Sequence, residues 1–167
     1  MDLTTIDGWA SLTLFAATVA TGLMAGIYLA FSIAVMPGLR VSGDATFIEA
    51  MQNINVKILN PVFLVIFFGS VVLPIVAAVL LIIDRDAGAR WWAAGGAMLA
   101  LTAYVTTANR NIPLNEVLAE AGPAAAITDQ GAVRRPFEER WVRWNHYRSL
   151  ASAFALIALV AAIFGRG

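Results

Sequence analysis

The sequence predicts an all-α integral membrane protein folded as a four-helix bundle. Of its 167 residues, 60% are hydrophobic and only 13% are charged, whereas soluble domains are about half apolar and a quarter charged. Four apolar segments lie at about residues 9–36, 61–83, 91–110 and 141–164, and each is close to the length of a membrane-spanning helix. We therefore expect one domain over residues 1–167, a multi-pass protein of the cell membrane surrounded by lipid bilayer.

Charge and cysteine content exclude several classes of partner and site. The net charge is zero, so we expect no nucleic-acid partner. The absence of cysteine excludes disulfides, iron–sulfur clusters and thiol chemistry. Asp2 and Asp7 precede the first apolar segment and no basic residue does, whereas a signal peptide begins with a basic region. We therefore interpret the first segment as a retained span.

The first apolar segment carries small residues at helical spacing. Gly22 and Gly26 form a Gly-x-x-x-Gly motif that lets another helix approach closely. We favour packing within the chain and keep a homo-oligomer contact through Gly22 and Gly26 as the alternative. Tyr28 lies deep in the segment, where a buried phenol needs a hydrogen-bond partner. Met36-Pro37-Gly38 is predicted to end this helix.

A short amphipathic helix is predicted between the first two spans. Its apolar stripe consists of Phe47, Met51, Ile54 and Ile58, and its polar side of Gln52, Asn53, Asn55 and Lys57. This pattern is typical of a helix at the membrane interface, which we favour over a lid on the bundle. Asn60-Pro61 then predicts the start of the second span, with Asn60 as N-cap and Pro61 at the first helical position.

The second half of the chain contains one short and one long connection. Residues 84–90 form a short connector, so the second and third spans are predicted to be antiparallel neighbours. A long loop is predicted from Glu116 to Phe137. The apolar part of the last span is only about 16–18 residues, near the lower limit for a span, so its helix is expected to begin before the membrane core. Basic residues concentrate in loops 37–60 and 110–140, and the positive-inside rule predicts that both are cytoplasmic.

The candidate site lies at the start of the last span. Helical spacing places Trp141, Trp144, Asn145 and Arg148 on one face. Polar residues of the two loops on the same membrane side can converge there, and they are Gln52, Asn55, Asn111 and Asn115. Ionisable groups at the edge of a membrane are costly and usually functional. The structural alternative is that Arg148 reaches the headgroups or pairs with Glu138 or with an acidic residue of the loop.

His146 is the only histidine in the chain. Histidine changes charge near neutral pH, so His146 is a candidate general base. It falls on the helix face opposite Arg148, which counts against direct cooperation. No metal-ligand spacing surrounds it, and no phosphate loop, nucleophile elbow or dinucleotide fingerprint occurs in the sequence.

Taken together, these motifs resemble the DUF1772 / anthrone oxygenase-like membrane proteins. The resemblance is carried by the following segments: Gly22-x-x-x-Gly26, Phe31, Met36-Pro37, Met51-Gln-x-Ile-Asn55, Asn60-Pro61, Asn111-x-Pro-Leu-Asn115 and Trp141-x-x-x-Asn145-x-x-Arg148. It implies a four-helix membrane bundle. Fungal members of the family are linked to the oxidation of anthrones to anthraquinones by molecular oxygen, without metal or flavin.

The candidate residues suit such chemistry. Trp141 and Trp144 would stack on a flat aromatic substrate, and Asn145 and Arg148 would bind the enolate oxygen that forms on deprotonation. His146 or a carboxylate such as Glu138 would be the base. The substrate would also contact the amide side chains Gln52, Asn55, Asn111 and Asn115. No cofactor is predicted, and oxygen would be the co-substrate.

Two functions remain open from the sequence. The first is a cofactor-independent oxygenase of an anthrone-like or polyketide-like aromatic. The second is a non-catalytic binding or accessory subunit for a lipid, a quinone or a protein complex. The oxygenase predicts a pocket beside Trp141, Asn145 and Arg148 with access from the lipid. The accessory subunit predicts that protein fills this face and that Arg148 pairs with a carboxylate.

Overall fold

The computed structural model describes residues 3–166. All regular secondary structure in this part of the chain is helical. Five helices follow one another: α1 (Ile6–Arg40), α2 (Asp44–Lys57), α3 (Pro61–Ile83), α4 (residues 90–120) and α5 (Gln130–Phe164). α1 and α4 each pack against both α3 and α5, and α2 lies against one end of α4 and α5.

Three of these helices, α1, α3 and α5, are long and apolar enough to cross a membrane. The regular α-helical part of α4, Arg90–Thr106, has 17 residues and is shorter than the others. Large apolar side chains such as Val65, Val72 and Ile157 are more than half exposed on the outer faces. Apolar surface of this extent needs a non-aqueous cover, and together these features indicate a membrane protein.

Pro37 does not end the first helix, so that prediction was wrong. A π-helical turn, Phe31–Val35, precedes it, and the amide of Met36 donates to the carbonyl of Phe31. The helix then continues through Pro37 to Arg40. A proline has no amide hydrogen and its ring clashes with the carbonyl four residues earlier, and a widened turn relieves both problems without breaking the helix.

The same device occurs in α4. A second π-helical turn, Thr107–Asn111, precedes Pro113, and the amide of Ile112 donates to the carbonyl of Thr107. The helix continues as Ile112–Glu120. The predicted loop from Glu116 to Phe137 was therefore too long: the connection covers residues 121–129 and contains one 3-10 turn.

Two predicted helix starts are confirmed. The side chain of Asn60 accepts a hydrogen bond from the amide of Phe63 at 3.1 Å, with Pro61 at the first helical position of α3. α5 begins at Gln130, well before its apolar part, and Asp129 caps it by accepting from the amide of Ala132 at 2.9 Å.

α2 exists as predicted but packs on the bundle instead of lying free at the interface. Its buried residues Phe47, Ile48 and Met51 form one cluster with Leu118, Phe137 and Trp141. Gln52 fixes the helix further, because its amide nitrogen donates to the carbonyls of Leu118 and Gly122, each at 2.9 Å. α2 therefore covers the end of the bundle that carries the candidate site.

Arg134 ties three helices together at this end. Its Nη1 donates to Asp44 at 2.8 Å and its Nε donates to Glu138 at 2.9 Å. Its Nη2 donates to the carbonyl of Arg40 at 2.8 Å. At the opposite end of the bundle Arg166 pairs with Asp7.

The glycine motif of α1 is used partly within the chain. A Cβ at Gly22 would lie 3.5 Å from Leu156 of α5, whereas a Cβ at Gly26 would meet nothing within 4 Å. Gly22 therefore supports packing inside the bundle. Contact between copies of the chain through Gly26 stays a prediction.

Candidate functional site

A pocket of about 530 Å³ lies at the α2 end of the bundle. Six of the residues predicted from the sequence line it: Gln52, Asn55, Asn111, Asn115, Trp141 and Arg148. They come from α2, α4 and α5, which the π-helical turn in α4 and the packing of α2 bring to one place. The predicted convergence of polar side chains at this end is therefore present.

Arg148 is the buried cation of the pocket, with only 7% of its surface exposed. Its Nε donates to Asn145 Oδ1 at 3.0 Å and its Nη1 donates to Thr107 Oγ1 at 3.3 Å. None of the ion pairs among residues 3–166 includes Arg148. Its Nη2 makes no hydrogen bond to a described residue, so this donor is left for a ligand.

Two aromatic rings hold the guanidinium group of Arg148. Its Cζ lies 4.3 Å from the ring centre of Tyr28 and 5.1 Å from that of Trp141. The negative faces of aromatic rings attract a cation and offset part of the cost of burying it. The charge is thus held in place by dipoles and rings, and no carboxylate of the described residues neutralises it.

Thr107 completes the surroundings of this cation. Its hydroxyl donates to the carbonyl of Ala103 at 2.9 Å, so its oxygen must accept from the other partners. Tyr28 lies 3.0 Å from that oxygen and is the donor in their hydrogen bond. Tyr28 therefore has the buried partner that the sequence predicted, and its own oxygen keeps free lone pairs.

Asn145 lies behind Arg148, buried and outside the pocket lining. Its amide nitrogen donates to the carbonyl of Tyr28 at 3.1 Å and to Ser32 Oγ at 2.8 Å. Its oxygen accepts from Arg148. In this arrangement Asn145 positions the arginine and links α5 to α1.

Trp141 forms an aromatic wall of the pocket and is fixed from α4. Its indole nitrogen donates to Asn115 Oδ1 at 2.8 Å, and its carbonyl accepts from Asn111 Nδ2 at 3.3 Å. The bond to that carbonyl sets the orientation of the Asn111 amide, whose Oδ1 is buried without a partner. The two asparagines therefore hold the tryptophan ring beside Arg148.

Two predicted residues lie elsewhere. Trp144 is half-buried outside the pocket, with the guanidinium group of Arg110 at 4.8 Å from its ring centre. His146 is exposed and lines a separate surface groove with Arg40 and Arg143. The roles given to Trp144 and His146 stay predictions that the pocket geometry does not support.

Glu138, the other candidate base, is occupied by ion pairs. Its two oxygens accept from Arg40 and from Arg134, each at 2.9 Å. It does not line the pocket. In the part of the chain that the structure describes, no group of three or more acidic or histidine side chains is placed to hold a metal ion.

The apolar walls of the pocket were not identified from the sequence. They include Ile27 and Phe31 of α1 and Phe63 and Phe67 of α3. Apolar residues are ordinary in a membrane span, so only the packing of the helices shows which of them line the pocket. Thr107 was missed for a related reason, since the π-helical turn that directs it inward has no signal beyond Pro113.

The rim of the pocket is apolar and exposed. Val56, Leu59, Phe68 and Ile112 line the pocket and are each at least two-fifths exposed. They come from α2, α3, α4 and the turn that joins the first two of these helices. An apolar rim of this kind suits a hydrophobic ligand more than a polar one.

The part of the chain that supplies most of these polar side chains matches a known protein family. The model of the anthrone oxygenase family, DUF1772, matches residues 63–158, which include Thr107, Asn111, Trp141, Asn145 and Arg148. No curated protein and no solved structure matches the chain. Because the match covers more than half of the sequence, the chain belongs to the anthrone oxygenase family.

Proposed function

We propose that this protein is a cofactor-independent membrane oxygenase that converts the CH₂ group of a flat, anthrone-like aromatic into a ketone with molecular oxygen. The observation that carries the proposal is Arg148, a buried cation beside the pocket that has no carboxylate partner among residues 3–166 and whose Nη2 makes no hydrogen bond to them. A buried cation is costly unless something compensates it. An anionic state of the substrate would supply that compensation.

The enolate of an anthrone is such a state. When the CH₂ group loses a proton, negative charge moves to the carbonyl oxygen across the central ring. The free Nη2 of Arg148 would donate to this oxygen and stabilise the charge as it develops. Fixed donors of this kind in a site shielded from water are among the largest contributors to catalysis.

The reaction balances without a further reactant. The enolate carbon transfers an electron to oxygen, and the resulting radical and superoxide combine to form a carbon–oxygen bond. Protonation gives a hydroperoxide. Loss of the remaining hydrogen from the carbon breaks the oxygen–oxygen bond, which yields the ketone and water. The carbon is oxidised by four electrons, and oxygen is reduced to the ketone oxygen and one water.

The size and surface of the pocket suit a three-ring aromatic. Its volume of about 530 Å³ lies within the usual range for small-molecule sites, roughly 300–1,000 Å³. Trp141, Phe63 and Phe67 offer flat apolar surfaces, and aromatic rings favour offset or edge contacts with one another. The apolar rim would admit a poorly soluble substrate directly from the bilayer.

The non-catalytic alternative predicts a filled end of the bundle with Arg148 bound to a carboxylate. Residues 3–166 contain neither feature: a pocket is present, and Glu138 is paired with Arg40 and Arg134. These observations favour the oxygenase over an accessory subunit.

We propose further that α4 is a fourth membrane span, which makes the protein a four-helix bundle. Its α-helical part is 17 residues long, and the π-helical turn adds five more. Together they have the roughly 20 residues that a crossing needs.

The test is turnover of anthrone by the purified protein in detergent, followed by oxygen uptake and by anthraquinone absorbance. After subtraction of the protein-free oxidation, the turnover rate of Arg148→Ala should be at least 100-fold below that of wild type. Removal of one charge-stabilising donor commonly lowers kcat by a factor of about 10²–10³. Arg143→Ala is the matched control, because Arg143 is exposed on the same helix outside this pocket. Equal rates for wild type and Arg148→Ala would overturn the proposal.

A further inference from the structure

We infer that Glu116 is the general base that removes the substrate proton, an assignment that rests on the proposed oxygenase function. The pocket is lined by three side chains that can carry charge: Tyr28, Glu116 and Arg148. Glu116 lies in the helical turn after Pro113 and is exposed. The two bases predicted from the sequence, His146 and Glu138, do not line this pocket.

The other two groups are unsuited to accept the proton. Arg148 is a permanent cation under ordinary conditions. Tyr28 uses its hydroxyl hydrogen to donate to Thr107 and is a neutral phenol. Glu116 forms no ion pair and no hydrogen bond with any residue in the described range 3–166, unlike Glu138, which two arginines occupy. Its carboxylate is therefore free to act on a ligand.

Glu116 and Arg148 line different parts of the pocket. In an anthrone the carbonyl and the CH₂ group lie at opposite ends of the central ring. A site that stabilises the enolate oxygen must therefore place its base at the far side of the ring from its cation. Arg148 lies in the buried part of the pocket beside Thr107, and Glu116 lies in its exposed part.

The spacing along α4 agrees with this division. Thr107, which contacts Arg148, and Glu116 are nine residues apart, or roughly 13 Å along a helix axis. A glutamate side chain that points back along the helix shortens this span to about 10 Å, because side chains lean towards the helix N-terminus. This separation leaves room for a bound ring between Thr107 and Glu116.

Glu116 then completes the proton balance. The carboxylate takes one CH₂ proton as the enolate forms and returns it to the peroxide oxygen. It takes the second proton of the same carbon as the oxygen–oxygen bond breaks, and it gives this proton to the leaving hydroxide to form water. The glutamate ends ionised, as it began, and no other group needs to change its charge.

The first test separates proton removal from oxidation by excluding oxygen. Anthrone is incubated anaerobically in D₂O with the purified protein, and loss of the CH₂ signal is followed by NMR. Wild type should exchange these protons faster than the protein-free solution. The catalysed exchange rate of Glu116→Gln should be about 100-fold lower than that of wild type, which is within the range for loss of a general base. Glu120→Gln is the matched control, since Glu120 is exposed on the same helix and does not line the pocket.

The second test uses chemical rescue. Glu116→Ala leaves room for a small carboxylate, so acetate should restore a measurable part of its exchange and turnover and should leave Glu120→Ala unchanged. If wild type oxidises anthrone and Glu116→Gln exchanges protons as fast as wild type, Glu116 is not the base, and the oxygenase function still stands. A wild-type protein that neither exchanges nor oxidises anthrone would overturn both.

Discussion

The side chain of Arg148 is held from four directions. Asn145 and Thr107 accept its hydrogen bonds, and the rings of Tyr28 and Trp141 lie on the guanidinium group. A cation with so many fixed contacts loses little further freedom when it binds an anion. Catalysis by charge stabilisation depends on groups that do not need to reorganise during the reaction, and this arrangement meets that requirement.

Asn145 can be replaced to test whether its hydrogen bonds position Arg148. Asn145→Leu is close in volume but removes the acceptor of Arg148 and the donor to Tyr28 and Ser32. We expect a loss of about 2 kcal/mol in the free energy of unfolding, because buried partners are left without hydrogen bonds. Turnover should fall at least tenfold, mainly in kcat.

Unfolding in detergent measures the loss of stability, and initial rates measure the loss of turnover. Asn53→Leu is the control, because Asn53 is exposed on α2 outside the pocket. If Asn145→Leu loses stability but keeps its kcat, Asn145 is structural and does not position Arg148.

Part of the site could be predicted from the sequence because it lies on one helix. Trp141, Asn145 and Arg148 recur at helical spacing on α5, and the structure keeps them together. Trp144 falls at the edge of that face, and the pocket occupies a narrower arc that excludes it. Thr107 and Glu116 lie on α4, and their relation to Arg148 depends on how two helices pack, which periodicity does not encode.

The two π-helical turns are the features of the helices that shape the pocket. Each precedes a proline, and the turn in α4 holds Thr107 and Asn111, which both line the pocket. Sequence rules treat a proline after a long helix as an end. Whether a helix ends or widens at that proline depends on the packing of the following turn, and this explains why both helix ends were predicted too early.

Pro113→Ala tests the role of the π-helical turn in α4. Alanine supplies an amide hydrogen, which permits a regular α-helical turn. The segment that follows would rotate by about 100°, the angle of one residue, and carry Asn115 away from Trp141. We expect at least a tenfold loss of turnover with an unchanged or raised melting temperature.

Pro123→Ala, in the connection before α5, should change neither quantity. A fully active Pro113→Ala protein would show that the π-helical turn is not needed for the site.

The contacts of Arg134 should stabilise the packing of α2 on the bundle. Arg134→Ala removes the contacts that tie α1, α2 and α5, and it leaves Glu138 without its most buried partner. The loss should be about 2–3 kcal/mol, slightly below that for a fully buried pair because Asp44 is partly exposed. Thermal unfolding in detergent measures it. Arg135→Ala, an exposed neighbour, should unfold like wild type, and equal stability of the two variants would contradict this role.

The two ends of the bundle carry different side chains. One end joins Arg166 to acidic side chains of α1 and of the 84–90 connector, and the other carries the pocket and α2. A four-span bundle places these ends on opposite sides of the membrane. The excess of basic residues at the pocket end predicts that this end is cytoplasmic.

Labelling of single cysteines tests this topology, since the chain has no native cysteine. Ala87 precedes the start of α4 and Glu120 is the last residue of that helix, and both positions are exposed. A membrane-impermeant maleimide added to intact cells should label Ala87→Cys and reach Glu120→Cys only after lysis. Labelling of both from the same side would show that α4 does not cross the membrane.

We propose that the protein transfers oxygen from O₂ to an aromatic carbon in the Arg148 pocket. The most direct measurement is the isotope content of anthraquinone that the purified protein makes under ¹⁸O₂, sampled while wild type is well ahead of the protein-free reaction. We predict one ¹⁸O atom in each new ketone, one O₂ consumed per product, and loss of this excess product in Arg148→Ala. Label that comes from water, or no excess product over the protein-free reaction, would contradict the account.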